Sequence, residues 1–180
     1  TAPFSIINSV MAVNDKLTKT PYKTEKYTEQ QLVELAKCAN DPKYFMREFC
    51  YIQHPTKGRM KFELYDFQDD LVDCYHNNRY SIAMLARQMG KSTCAAGYLL
   101  WYAMFNPDQT ILIAAHKYSG ASEIMQRIRF AYETLPDFIR AGVTAYNKGS
   151  LEFDNGSRIV AQSTTENTGR GLSISLAYLD

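Results

Sequence analysis

The stretch MLARQMGKST, residues 84–93, decides how the rest of the chain is read. Gly90, Lys91 and Ser92 are the residues that close the phosphate-binding pattern G-x-x-x-x-G-K-[ST], while Leu85 stands where its first glycine belongs and Arg87 lies inside the loop. Such a triplet arises by chance about once in ten chains of this length, so its flanks have to decide. On one side, residues 80–86 (YSIAMLA) are short, apolar and bounded by polar turns, the pattern of a buried parallel strand. On the other, KSTCAAGYLLWYAMF, residues 91–105, reads as a helix apolar nearly all round and therefore covered on most sides. Strand, loop and helix are the context the pattern requires, because a helix N-terminus presents free N–H groups and a positive dipole end to an anion.

Residue types then assign roles. Gly90 lets the backbone approach a phosphate with no Cβ in the way, and the N–H groups of residues 89–93, from Met89 to Thr93, line the cradle. Gln88 belongs to the same loop. Lys91 supplies a point charge to the β- and γ-phosphates of ATP, and Ser92 a hydroxyl to Mg²⁺. Thr93 is a weaker metal candidate and could equally be a first-turn helix contact. Arg87 is a solvated loop residue or, since transition-state charge develops at the γ-phosphate within its reach, an arginine finger acting in cis.

Working outward, TILIAA at residues 110–115 reads as a second buried strand, followed by a helix over roughly residues 119–135 that Pro136 ends. LEFDNGSRIVAQ is a hairpin turning at Asn155-Gly156, and LSISLAYLD supplies a third core strand. Upstream, TKTPYKTEKY (residues 18–27) reads as an exposed linker. TEQQLVELAKCAN opens on a capping box of Thr28 and Gln31, and DPKYFMREFCYI starts a second helix from Asp41-Pro42. HPTKGRMKF is turn chemistry leading into an extended piece, and YDFQDDLVDCYHN a third helix. The order predicts an α/β fold of the P-loop NTPase (RecA/helicase-like) class: a mainly parallel sheet flanked by helices, with an N-terminal helical appendage. Residues 1–65 form the arm and helical subdomain, and 66–180 an ATPase core incomplete at the C-terminus.

Composition narrows the classes. The 180 residues suit one sizeable core plus an appendage; 46% hydrophobic with 22% charged residues is globular composition, and a net charge of +1 gives no whole-chain basic footprint for nucleic acid. The cysteines, Cys38, Cys50, Cys74 and Cys94, lie 12, 24 and 20 residues apart, which lacks zinc-ligand spacing and suits reduced thiols. Residues 1–16 have no basic n-region of a signal peptide, and no stretch approaches the roughly 18 apolar residues of a membrane span.

Further residues fit a nucleotide site. Asp180 ends an apolar strand where such folds hold Mg²⁺, a helix cap or exposed chain end being the alternative. The carboxamide of Gln68 could bond adenine N6 and N7, although a surface glutamine is the more common case. Tyr65 could stack on a base, but an aromatic at a helix entry more often packs, and His54, His76 and His116 are scattered. Arg170, between Gly169 and Gly171, is displayed on a turn where it could meet a phosphate of its own or a neighbouring subunit, or be an ordinary loop charge.

Taken together, YIQHPTKGRMKFELYDFQ, ARQMGKST, IAAHKYSGASEIMQRIRFAYETLPDF, YNKGSLEFDNGSRIVAQST and GRGLSISLAYLD resemble the large terminase subunit of tailed bacteriophages, myovirus type, from about Asp41 onward. The resemblance implies an ATP-driven motor, working as a ring on the portal protein with the small terminase subunit, that pushes double-stranded DNA into an empty procapsid in the host cytoplasm. It makes Gln68 an adenine contact, Arg87 the loop finger, Lys91 and Ser92 phosphate and metal contacts, and Asp180 the metal-holding aspartate. Arg170 matches the Arg-Gly ahead of the acidic motif, where a role as a finger in trans is a hypothesis. The glutamate expected directly after Asp180 and the separate nuclease domain are absent from these residues, so the expectation is an N-terminal piece that neither packages nor cuts DNA and hydrolyses ATP feebly. The rival readings are a helicase-like ATPase dependent on nucleic acid, and a non-catalytic interaction module that binds nucleotide only for stability.

Overall fold

A computed structural model describes residues 17–54 and 56–180; the signal-peptide reading of residues 1–16 lies outside them. Helix α1, Glu29–Asn40, starts as its sequence predicts: the Thr28 hydroxyl accepts from the Gln31 N–H, and the Gln31 side chain accepts from the Thr28 N–H. Helix α2, Pro42–Phe49, is capped by Asp41, whose carboxylate accepts from the Lys43 N–H, with Pro42 at the first helical position. The helix ends earlier than its sequence suggests. Tyr51–His54 instead forms strand β1, paired antiparallel with β2, Gly58–Lys61. Gly58 at φ +70° closes that hairpin, and the β-forming Tyr51 and Ile52 gain a partner strand there.

Helix α3, Asp66–Asn77, leads to the quoted loop and to α4, Lys91–Phe105. Then come β3, Thr110–Ala115, α5, Tyr118–Glu133, β4, Val143–Tyr146, β5, Ser150–Phe153, β6, Arg158–Ser163, and β7, Leu176–Leu179. The five-stranded sheet has the order β4-β5-β6-β3-β7. Strand β3 is parallel to both β6 and β7, whereas β4-β5 and β5-β6 are antiparallel. The sheet is therefore mixed rather than mainly parallel. The Asn155-Gly156 hairpin reverses β5 against β6, with Gly156 at φ +85°, and β4 adds beyond it.

Residues 80–86 depart most from expectation. They form no strand; Tyr80, Ile82 and Met84 are 81%, 93% and 91% exposed. Ala83 and Leu85 nevertheless pack against the core, so the segment is covered on one face only. A run of apolar residues marks a central strand only when ladders form on both sides. Strand β7 is likewise an edge of the sheet, with Leu176 and Tyr178 packed on the core and Leu179 72% exposed.

The core lies between the sheet and its helices. Ile111 and Ile113 of β3 join Ile159 and Ala161 of β6 beneath Ile124, Met125 and Ile128 of α5 and Leu99 and Leu100 of α4. Helices α1 to α3 share the same cluster through Cys38, Phe45, Met46, Leu71 and Val72. Trp101 binds the two regions: its indole N–H donates to the Cys38 carbonyl at 2.7 Å, and its ring meets His76 edge-on. Helix α4 is apolar all round because it is covered all round, as expected of that sequence. Residues 18–27 do not hang free as a linker: the Val143 N–H donates to the Lys19 carbonyl, and the Tyr22 N–H to the Asp154 carboxylate. All four cysteines are free thiols; burial raises Cys94 to about 12, which leaves it an inert packing group. No helix among the described residues is long and apolar enough to cross a membrane.

Candidate functional site

The loop enters α4 through two left-handed residues. Gln88 lies at φ +65°, one of three non-glycine residues with positive φ among those described, and Gly90, the N-cap of α4, at φ +73°. A non-glycine residue there costs on the order of 1 kcal/mol, so the surroundings must hold the loop. Gln68 does so. Only 3% exposed, it donates from Nε2 to the Met89 carbonyl at 3.3 Å, while its Oε1 accepts from the Tyr65 N–H at 3.1 Å. A Cβ on Gly90 would meet that Nε2 at 2.7 Å, so a side chain there would have to displace the carboxamide as well as accept a strained φ of +73°. Leu85, in place of the usual first glycine, packs against the core instead.

The first backbone bond of α4 runs from the Cys94 N–H to the Gly90 carbonyl at 2.9 Å. The N–H groups of Lys91, Ser92 and Thr93 precede it and share the positive end of a 15-residue helix. Asp180 arrives from the opposite side. Its own N–H donates to the Ala114 carbonyl at 2.9 Å, which holds it at the C-terminal ends of β3 and β7, and its carboxylate lies 3.0 Å from Lys91 Nζ. The donor set, an ammonium and helix-start amides facing a hydroxyl and a carboxylate, has the chemistry to hold a polyphosphate with a divalent cation.

Two residues unforeseen in the sequence complete the neighbourhood. The Tyr178 hydroxyl donates to the Asp180 carboxylate at 3.4 Å. Burial first, then the nearby Asp180 carboxylate, raises the Tyr178 phenol above its ordinary value, so it stays a neutral donor. Its place two residues before Asp180, on the same strand face, was a legible signal. Arg127 of α5 donates to the Thr93 hydroxyl at 2.6 Å and pairs with Glu123. Nothing in the local sequence marks Arg127, because the packing of α5 on α4 brings it there.

Other expected residues are placed differently. Arg87 and Gln88 lie exposed on the outer turn of the loop. Arg170 is exposed in the β6-β7 connection, where its N–H donates to the Asn167 carbonyl between left-handed Gly169 and Gly171, and no described contact joins it to Lys91 or Asp180. His76 packs against Tyr98 and Trp101. Tyr65 stacks on Phe67, with ring centroids 5.7 Å apart. A shallow depression lined by Val33, Ala36, Lys37, Asn40, Asp41 and Tyr44 brings together no comparable set of groups.

Residues 82–180, more than half of the chain and the whole of this loop, sheet and acidic strand, match the family model described as terminase large subunit, T4likevirus-type, N-terminal. The chain belongs to this terminase family. Among solved structures it is similar to the large terminase of bacteriophage HK97, at 24% identity and a TM-score of 0.63 over 79% of this chain. That likeness extends the shared fold upstream of residue 82. The terminase chain described here spans 30% of the length of the HK97 protein.

Proposed function

We propose that this terminase chain is the ATP-binding portion of a motor that drives double-stranded DNA into a procapsid, with a P-loop NTPase fold and Mg²⁺ as its metal. The observation carrying this reading is the 3.0 Å approach of Lys91, at the start of α4, to Asp180, at the end of β7. The pair is about one-third exposed on each side, and such pairs contribute roughly 0–1 kcal/mol. It therefore opens at little cost, freeing Lys91 for the β- and γ-phosphates and Asp180 for the metal. Bound Mg-ATP supplies the phosphoryl group and the charge-neutralising cation. The chain's residues would then divide the work: Gly90 and the helix-start amides would cradle phosphate, Ser92 and Asp180 would hold the metal, and the Tyr178 hydroxyl donates to the Asp180 carboxylate.

Gln68 serves as the adenine contact through the same carboxamide that holds the loop at Met89. Arg87 acts as the finger within the loop, and Arg170 acts on a neighbouring subunit of a homo-oligomeric ring. Family membership supports the portal protein and small terminase subunit as partners; the cytoplasm of an infected host is the setting this reading proposes. Calorimetric titration of Mg-ATP tests the site. One binding event is expected, weakened at least tenfold by EDTA or by Asp180→Asn; equal affinity in all three conditions would remove Asp180 from the metal and with it this reading.

A further inference from the structure

We infer that Arg127 is a positioning residue for the nucleotide site, acting through Thr93; the inference rests on the reading of the loop given above. Its Nη1 donates to Thr93 Oγ1 at 2.6 Å, and its Nη2 to Glu123 Oε1, also at 2.6 Å, one turn back on α5. Two features make this more than a surface tie between helices.

The first is electrostatic. A guanidinium beside the first turn of α4 adds positive charge at the positive end of the helix dipole, where a cation is disfavoured. Glu123 offsets part of that charge and also fixes the fork of the guanidinium. An anion seated on the amides of α4 would relieve the remainder, so the arrangement favours the occupied site over the empty one.

The second is directional. A threonine hydroxyl has one hydrogen to donate and lone pairs to accept with. Because Arg127 can only donate, its bond commits a lone pair of Thr93 Oγ1 and leaves the Thr93 hydrogen free for another acceptor. The side chain lies in the same helical turn as Lys91 and Ser92, whose N–H groups face the cradle. Arg127 thereby turns a hydroxyl that could have bonded back along its own helix into a donor available to bound phosphate. It also gives α5 a direct connection to the occupancy of the site.

A double-mutant cycle on the dissociation constant for Mg-ATP tests this, with Arg127→Ala, Thr93→Val and the double variant titrated alongside the parent chain and Lys91→Ala. Melting temperatures measured in the same preparations confirm that each variant is folded. If Arg127 acts through Thr93, each single change weakens binding about tenfold and the double change is no worse than either. Independent effects that multiply to about a hundredfold would overturn it, as would unchanged affinity in Arg127→Ala while Lys91→Ala loses binding. A purely structural tie would lower the melting temperature and leave the dissociation constants uncoupled, which also counts against it. Full affinity in Lys91→Ala would be a different failure, since it would remove the nucleotide site itself.

Discussion

Lys91→Ala is expected to weaken Mg-ATP binding by at least about a hundredfold while leaving the fold intact. The two effects separate because they draw on different interactions. Toward a polyphosphate, the Lys91 ammonium makes charge-assisted contacts worth about 1.5–3 kcal/mol each, and removing it leaves the Asp180 carboxylate facing phosphate with its partner gone. A loss of about 2.7 kcal/mol is a hundredfold in affinity. Toward the fold, Lys91 contributes one partly exposed ion pair, worth less than about 1 kcal/mol. Calorimetry with Mg-ATP, paired with thermal melting, reads both quantities. Loss of binding with a melting temperature within a few degrees of the parent is the predicted outcome, and a variant that binds as the parent does would mean that the helix start is not the phosphate site.

Trp101→Ala should have the largest effect on stability. The ring is 4% exposed and packs on His76, Tyr98, Tyr102 and Phe105, and truncating so large a core group costs about 3–5 kcal/mol. The Cys38 carbonyl would also lose its indole donor. For a chain of this size a loss of about 4 kcal/mol lowers the melting temperature by about 8–16 °C. Denaturant unfolding gives the same quantity independently, and a cost below about 1 kcal/mol would mean that α1 and α2 do not rest on α4 as the shared cluster describes. The consequence reaches the candidate site, because α4 carries the proposed phosphate loop at its other end.

Much of this architecture was legible in local signals. Thr28 and Gln31 marked a capping box, Asp41-Pro42 a helix start, Asn155-Gly156 a hairpin, and the apolar run after Lys91 a covered helix; each is where the structure has it. Signals that depend on partners were not legible. Residues 80–86 have strand composition but no ladder, since apolarity reports a need for cover and not which element supplies it. Strand β4 and the β1-β2 hairpin have only four-residue strands, too short for a period-two pattern to stand out. The Gly-Lys-Ser triplet and Asp180 each sit at the end of a regular element, which is why they stand out in the sequence as candidates. Gln68 was read as a face toward adenine, whereas the structure adds a loop-holding role that no spacing rule gives. Arg127, a long sequence distance from Thr93, became visible only once α5 lay against α4.

In the proposed mechanism the loop at residues 84–93 seats the phosphates of a nucleotide against Asp180. This seating is tested most directly by following backbone amide resonances of the ¹⁵N-labelled chain during titration with Mg-ATP. Saturable shifts concentrated on Gly90, Lys91, Ser92, Thr93 and Asp180 are expected, with smaller changes at Gln68. Saturable shifts that leave residues 89–93 and Asp180 unmoved, or no shifts at all from a folded chain, would contradict it.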